Sequence, residues 1–342
     1  MSHQVEKMFS VRELPWHYGQ TKDQTTILQE APDNWAEARQ LGGLDWDPIE
    51  EPLYRREIGV NEAGEPETKY EQVNGHKLIV RSDNGLVLDT ALDQYELITN
   101  TDMGMIIETM LAGHKIEFET AGCLDDGRKV WALLRMGDFL EIKGDNSPTA
   151  RYLALLNAHD GHGACKAIAT NIRVVCANTW HYADTQSEAS ATTFSFHHRA
   201  QWRERVKELQ ADVQAALSGA DKELRAYAEL AEDMILKSVT DEQEKRWVDE
   251  FVYPTKVEHK LKPQALENVT IARQKVAAIL ASPTCEGIRG TAYGLMQAGG
   301  EYLDHDRRFK NTETLMGRTI FSREKLKTRA KNLALVAAEG RL

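Results

Sequence analysis

The spacing of apolar residues changes near residue 198 and divides the chain into two kinds of structure. Residues 77–81 alternate between apolar and polar side chains, and Asp83-Asn84-Gly85 after them is a tight-turn signal, so this region predicts a hairpin. From about residue 199 the apolar positions recur every three or four residues, as on one face of a helix, and this face includes Tyr227, Ala231 and Met234. The pattern therefore predicts an α+β body followed by a helical C-terminal region.

The predicted body is an antiparallel β-meander with packed helices. Residues 101–112 carry apolar side chains at helical spacing, and strands follow this helix. Residues 151–157 and 172–176 scarcely alternate, which is typical of interior strands. Residues 61–71 are rich in Glu and Gly and predict an exposed hairpin or loop. The other predicted strands are 86–88, 114–120, 129–135, 139–143 and 193–196, and the other predicted helices are 34–39, 240–251, 266–281, 291–303 and 322–338. Asn34 with Glu37 and Thr240 with Gln243 are capping-box patterns at the starts of two of these helices.

Charge is distributed unevenly along the chain. The formal net charge is -11, and residues 1–100 contain 9 Lys and Arg against 19 Asp and Glu. Residues 307–331 instead hold nine basic residues against two glutamates. A charge run is usually a solvated helix face, but the basic run in residues 307–331 is also compatible with binding of a polyanionic partner. We predict an acidic N-terminal segment (1–75), an α+β core (76–198) and a helical region (199–342) whose C-terminal part is basic.

Composition favours a globular protein of the cytoplasm. The hydrophobic content of 42% is ordinary, and no segment reaches the roughly 20 apolar residues of a membrane span. The first residues lack the apolar region of a secretory signal, and the four cysteines show no paired framework. We therefore expect a cytoplasmic location, reduced thiols and no membrane partner.

The region from Asn157 to His181 contains many polar residues that are unusual in an apolar core. A zinc site is one interpretation, but the spacing matches none of the usual zinc patterns. His159-Asp160 is similar to the metal-binding doublet of phosphohydrolases, yet Gly161 after it favours a turn in which Asp160 bonds backbone amides. A Cys–His nucleophile pair stays open, although no helix N-terminus is placed to lower a thiol pKa. The residues that suggest metal or nucleophile chemistry are His159, Asp160, His162, Cys165, Cys176 and His181.

These alternatives leave a non-catalytic motif as the favoured interpretation. The chain contains no phosphate-binding loop and no dinucleotide fingerprint. We expect no cofactor, no metal and no catalytic residue. The residues interpreted as a structural or functional motif are His159, Asp160, Gly161 and Cys176.

Basic, amide and aromatic residues near the strand ends form a second candidate set. Arginine pairs with phosphate through two parallel hydrogen bonds, and Trp or His rings stack on unpaired bases. A structural network at the edge of the sheet is the alternative. The predicted DNA-binding residues are Arg173, Asn178, Trp180, His181, His198 and Arg199, together with Arg307, Arg308, Lys310, Arg323, Lys325 and Lys327 of the basic segment.

Six short motifs occur in an order that resembles a known family. They are Pro15-Trp16-His17-Tyr18-Gly19, Gly43-Leu44-Asp45-Trp46, Tyr95-Glu96-Leu97 with Asn100, Thr120-Ala121-Gly122, Asn157-Ala158-His159-Asp160-Gly161 and Arg173-Val174-Val175-Cys176-Ala177-Asn178-Thr179. This series resembles the phage/plasmid-like family of domain of unknown function 932. The chain departs from the family pattern at His162 and at His197-His198-Arg199. The resemblance implies a setting on mobile genetic elements rather than a reaction.

The setting and the predicted elements together favour nucleic-acid binding. The order of elements is similar in outline to single-strand annealing proteins of the RecT and Redβ type, which is an analogy of fold alone. We expect a phage- or plasmid-type protein that binds or anneals single-stranded DNA in recombination or replication and self-associates into a homo-oligomer. Two alternatives stay open: an inhibitor of host defence that binds protein through the acidic first hundred residues, and a metal-dependent nuclease or other hydrolase.

Overall fold

A computed structural model describes most of the chain and shows an α+β protein with a helical C-terminal region. The described residues are 5–11, 25–111, 116–137, 140–161, 163–173, 178–180, 193–196, 198, 202–203, 225–307 and 325–342. The chain divides into two compact units. Unit 1 takes residues 1–134, 154–168 and 193–216, and unit 2 takes residues 135–153, 169–192 and 217–342. The predicted division at residues 75 and 198 stays a prediction about domains.

The described strands form two sheets. The larger has the order β10-β9-β8-β7-β6-β1-β2, with β11 also paired to β9, and the smaller has the order β3-β4-β5. The run from β6 to β9 is the predicted meander. The strands are β1 (Val5–Val11), β2 (Thr25–Leu28), β3 (Pro48–Val60), β4 (Pro66–Arg81), β5 (Val87–Leu92), β6 (Ile116–Leu124), β7 (Lys129–Met136), β8 (Thr149–Ala158), β9 (Cys165–Arg173), β10 (Asn178–Trp180) and β11 (Thr193–Phe196).

The described helices match most of the predicted ones. They are α1 (Trp35–Leu41), α2 (Asn100–Leu111), α3 (Asp241–Val252), α4 (Thr255–Glu258), α5 (Pro263–Leu280), α6 (Ala292–Glu301) and α7 (Lys325–Ala338), with 225–235 also helical. A π-helix, Tyr302–Asp306, directly continues α6. No helix in the described ranges is long and apolar enough to cross a membrane.

Helix starts show where capping predictions were right and where they need correction. Thr240 and Gln243 form the predicted capping box, because each side chain bonds the backbone of the other residue. Asn34 caps α1 by accepting a hydrogen bond from the amide of Glu37 at 3.0 Å. The Glu37 carboxylate accepts from the amide of Asp33 instead of that of Asn34, so the second half of this box is shifted by one residue.

Two strand predictions change in the structure. The strand predicted at 139–143 is reduced, in the residues described there, to an isolated bridge between Leu140 and Thr149. The exposed hairpin predicted at 61–71 is real but much longer, because β3 and β4 have 13 and 16 residues. The Leu140 prediction failed because a short apolar run does not show whether a neighbouring strand pairs with it.

Unit 1 is built around the N-terminal strand and the helices that follow it. β1 pairs in parallel with β2 and antiparallel with β6, and its Met8 and Phe9 are fully buried. Trp35 of α1 lies against Gly104 of α2, where a Cβ would approach the indole to 2.6 Å. The indole also donates to the backbone oxygen of Asn100 at 2.7 Å, so α1 is fixed to the start of α2.

Unit 2 has a helical core that the periodicity predicted well. Tyr227, Ala231 and Met234 lie on the predicted apolar face and are buried. Trp247 stacks on Phe251 with ring centroids 4.9 Å apart. Helix α6 is buried along nearly its whole length, and its glycines allow close approach, since a Cβ on Gly294 would lie 2.3 Å from the backbone oxygen of Ile288.

Candidate functional site

Residues that are far apart in sequence meet in unit 1 around the side chain of Asn100, in what we call the Asn100 network. The Asn100 amide nitrogen donates to the backbone oxygen of Trp46 at 2.8 Å. Its amide oxygen accepts from Nε2 of His159 at 2.9 Å. The Trp46 ring also meets the His159 ring edge to face at 5.7 Å. Three of the motifs that carry the family resemblance therefore share one buried set of hydrogen bonds.

Asn157 extends this network along β8. It lies near the end of β8, and His159 directly follows the last residue of this strand. Its amide nitrogen donates to the backbone oxygen of Ile98 at 2.7 Å, close to the start of α2. Asn157, His159 and Asn100 are each fully buried. Buried polar groups that are bonded in this way hold β8 against α2, which is a structural role.

The imidazole of His159 is held neutral. Burial, and to a smaller extent the nearby His198, lowers the pKa of His159 to about 3. Since Asn100 offers an oxygen, Nε2 carries the proton and donates it. A neutral, fully buried ring whose Nε2–H is engaged by an amide does not present that nitrogen to a metal ion.

Asp160 and Gly161 form a turn, as the sequence indicated. A carboxylate oxygen of Asp160 accepts from the amide of Gly163 at 3.1 Å. Gly161 has a φ of +70°, and a Cβ there would lie 2.9 Å from the backbone oxygen of Thr90. Only glycine combines this conformation with this close approach. The interpretation that Asp160 bonds a backbone amide is thereby confirmed.

His198 belongs to a second buried contact in unit 1. Its ring stacks on that of Tyr95 at 4.5 Å, and its Nδ1 donates to the backbone oxygen of Glu96 at 3.0 Å. The Tyr95 hydroxyl donates to the backbone oxygen of Ala158 at 3.1 Å, and burial raises the pKa of this hydroxyl. His198 is only 5% exposed. It was expected to contact DNA, but its place in the structure is a core position that links its segment to Tyr95.

The thiol and metal interpretations gain little from the described residues. Burial raises the pKa of the Cys165 thiol to about 12, so this sulfur is a protonated core atom rather than a nucleophile. Across the parts of the chain that the structure describes, no group of three or more His, Cys, Asp or Glu could hold a metal ion. His162, Cys176 and His181 lie outside those parts.

The β9–β10 pairing brings three predicted DNA-binding positions together. Arg173 lies directly opposite Asn178, and Trp180 lies directly opposite Asn171. Because side chains alternate along a strand and directly opposite residues share a face, these four positions occupy one face of the two strands. β10 is at one end of the strand order. Arg199, the neighbour of this set in the prediction, is outside the described residues.

The basic segment divides into described and undescribed parts. Arg308, Lys310 and Arg323 lie outside the described residues, and Lys325 begins α7. Arg307 follows the π-helix and is half-buried.

Lys327 needs a correction. Its ammonium donates to Asp304 of the π-helix at 2.7 Å, and the two side chains are 8% and 1% exposed. The predicted DNA-binding role of Lys327 therefore conflicts with its burial, because a cation enclosed in unit 2 does not meet a phosphate backbone.

Sequence reasoning missed the exposed apolar face of the β3–β4 hairpin. Tyr54, Ile58, Val60 and Tyr70 are 53%, 70%, 69% and 69% exposed. The signal was present as alternation, because Tyr54, Ile58 and Val60 all lie at even-numbered positions, whereas the odd-numbered positions between them carry Arg55, Glu57 and Gly59. The high content of Glu and Gly in residues 61–71 indicated an exposed hairpin or loop and gave no reason to expect an apolar face.

Comparison with known protein families gives a match over most of the chain. A family model described as Domain of unknown function (DUF932) matches residues 87–330, which is more than half of the chain. No curated protein and no solved structure matches.

Proposed function

Since the chain belongs to the DUF932 family, whose description names no activity, we propose that it is a non-catalytic protein that binds or anneals single-stranded DNA in the recombination or replication of a mobile element. One observation carries the proposal. The β9–β10 register gathers Asn171, Arg173, Asn178 and Trp180 on one face. The cytoplasmic setting and the likeness to annealing proteins of the RecT and Redβ type belong to the same proposal.

The residue types on this face suit an unpaired strand. An arginine neutralises a phosphate, an indole stacks on a base of any sequence, and amides hydrogen-bond to sugar or base edges. Directly opposite positions have Cβ atoms about 4.5–5.5 Å apart, so arginine with amide and tryptophan with amide are adjacent pairs. Such a surface needs no catalytic group.

Net charge sets a condition on the proposal. A chain with a formal charge of -11 repels a polyanion overall, so binding depends on local cations and is strongly sensitive to salt. For single strands the slope of log K against log salt is about -0.7 for each phosphate neutralised. Removing Arg173 should therefore lower both the affinity and the slope.

Fluorescence anisotropy with a labelled single-stranded oligonucleotide tests the proposal at low and at physiological salt. We expect binding at low salt, about tenfold or greater weakening by Arg173→Ala or Trp180→Ala, and a slope smaller by about 0.7 for Arg173→Ala. Lys166→Ala is the matched control. It removes one exposed positive charge from the same strand, β9, but from a position on the opposite face. No binding at low salt, or equal losses for Arg173→Ala and Lys166→Ala, would contradict the proposal.

The hydrolase alternative has weaker support in the geometry. Its proposed centre was His159, Asp160 and His181, and His159 is enclosed by the Asn100 network. The protein-binding alternative has a specific observation in its favour, because the exposed hairpin lies within the acidic first hundred residues. Identifying what binds that hairpin would test this alternative.

A further inference from the structure

The outer part of the β3–β4 hairpin, which we call the arm, consists of residues 54–72. β5 pairs with β4 only from His76 to Val80. Beyond that point β3 and β4 pair with each other from Tyr54 and Gln72 outward to Val60 and Pro66, and no other described strand lies beside them. Within the described part of the chain the arm is therefore a two-stranded ribbon with no strand paired to either outer edge. Isolated ribbons of this kind are marginal in water and offer their edges and faces to partners.

The two faces of the arm have opposite character. Directly opposite pairs are Arg56 with Tyr70, Ile58 with Thr68 and Val60 with Pro66, and these positions share their face with Tyr54. The other face carries charge. There Arg55 bridges Glu57 and Glu71, and Lys69 pairs with Glu67. The cations of that face are thus used within the arm, and its apolar face bears a single charged residue, Arg56.

The apolar face is large enough to be a contact but too small to be a whole interface. Its two tyrosines, Ile58 and Val60 expose roughly 450 Å² together, if an aromatic side chain presents about 150–250 Å². A patch of that size on a soluble protein usually marks an interaction site. A standard interface takes about 800 Å² from each partner, so the apolar face needs additional, polar contacts at its rim.

Charge indicates what those rim contacts are. The tip of the arm carries Glu62 and Glu65 on the turn that follows Val60. In unit 2, Lys256, Lys260 and Lys262 are exposed, and no ion pair joins them to another described residue. Leu266 of α5, one turn after Lys262, is 40% exposed. We call Lys256, Lys260, Lys262 and Leu266 the basic patch. It offers an apolar side chain with cations beside it, complementary to an apolar face with carboxylates at its end.

We propose that the arm is a self-association surface that docks on the basic patch of a second copy of this chain. The contact joins two different surfaces, so it is heterologous and leaves one free arm and one free patch on every dimer. Assembly therefore continues to a closed ring or an open filament. Because the apolar face is about half the standard area, we expect affinity in the micromolar range and weakening as salt screens the rim.

Sedimentation velocity of the full chain over a range of concentrations is the test. We expect the average mass to rise with concentration at low salt and to fall when salt is added. The arm variant Ile58→Glu/Tyr70→Glu and the patch variant Lys256→Glu/Lys260→Glu/Lys262→Glu should each be monomeric, with at least tenfold weaker association. All five positions are exposed, and circular dichroism with a melting curve checks that both variants fold.

Mixing the two variants decides between this contact and any other. The arm variant keeps an intact patch and the patch variant keeps an intact arm, so the mixture should form a one-to-one dimer and nothing larger. Lys69→Glu on the charged face of the arm and Lys245→Glu on α3 are controls that should still assemble. The proposal fails if the wild-type chain is monomeric throughout, if the arm variant assembles like wild type, or if the mixture stays monomeric. Capture of a different protein by the arm of a monomeric wild-type chain would assign the arm to that partner and would also overturn self-association.

Discussion

Lys327 offers the sharpest test of how burial decides between a DNA-binding and a structural cation. Its ammonium lies 2.7 Å from a carboxylate oxygen of Asp304, and both side chains are withdrawn from water. Lys327→Met removes the positive charge and leaves a buried carboxylate without this partner. Breaking a buried ion pair from one side typically costs about 3–5 kcal/mol. Met itself fills the space of the lysine stem, so most of the loss comes from the ion pair with Asp304 that the substitution removes.

The reciprocal substitution separates charge from packing. In Lys327→Met/Asp304→Leu both charges are gone, and apolar replacement of a buried pair is often neutral or stabilising. We therefore expect the double variant to regain most of the loss. Lys245→Met removes an exposed lysine from α3 and should stay within about 0.5 kcal/mol of wild type.

Thermal unfolding followed by calorimetry measures these differences. At about 2–4 °C per kcal/mol, Lys327→Met should lower the melting temperature of unit 2 by about 6–20 °C. DNA affinity, measured below the melting transition, should not change. A Lys327→Met chain that melts like wild type but loses DNA binding would refute the structural assignment and return Lys327 to the DNA-binding surface.

Two further substitutions test the buried imidazole of His159 in unit 1 and the close packing of α6 in unit 2. The unfolded chain protonates His159 near its ordinary pKa of about 6.5, whereas the folded chain does so only near 3, so this residue makes stability fall as pH decreases from about 6.5 towards 3. In urea unfolding between pH 7 and 5, the free energy of unfolding of His159→Gln should therefore depend less steeply on pH than that of wild type, by up to about 1.4 kcal/mol per pH unit. An unchanged pH dependence would mean that the folded chain accepts the proton. Gly294→Ala should destabilise unit 2 by about 1–3 kcal/mol, although alanine favours helices, because the new Cβ would lie 2.3 Å from the backbone oxygen of Ile288. Gly59→Ala is the control, since a Cβ at Gly59 has no atom within 4 Å. Equal melting temperatures for the two variants in calorimetry would contradict the packing argument.

Periodicity predicted the helical part of the fold better than the sheet. Tyr227, Ala231 and Met234 follow a helical spacing that burial alone enforces, and they are core residues as expected. Strand partners depend on contacts between distant segments, which local patterns do not contain. β1 pairs in parallel with β2 and antiparallel with β6, which lies more than a hundred residues later, and neither pairing left a local trace in the sequence.

The candidate site was predicted in its residues but less well in their roles. Polar residues on an apolar strand indicated that Asn157 and His159 must be bonded, and they are. Their partners could not be predicted, because Asn100 lies 59 residues from His159 along the chain and meets it only through the fold. Lys327 and His198 were assigned from charge and residue type, whereas their burial depends on neighbours that sequence spacing does not reveal.

The Asn100 network also bears on where the polypeptide can be shortened. The family match begins at residue 87. However, the Asn100 amide donates to the backbone oxygen of Trp46, and β6 pairs along one edge with β1, so both partners lie before that residue. In a fragment trimmed to residues 87–330, the Asn100 amide beside His159 would lose its acceptor, and β6 would lose the strand paired to one of its edges. Such a fragment should be insoluble or poorly folded, so deletion studies of this protein should keep the first eighty-six residues.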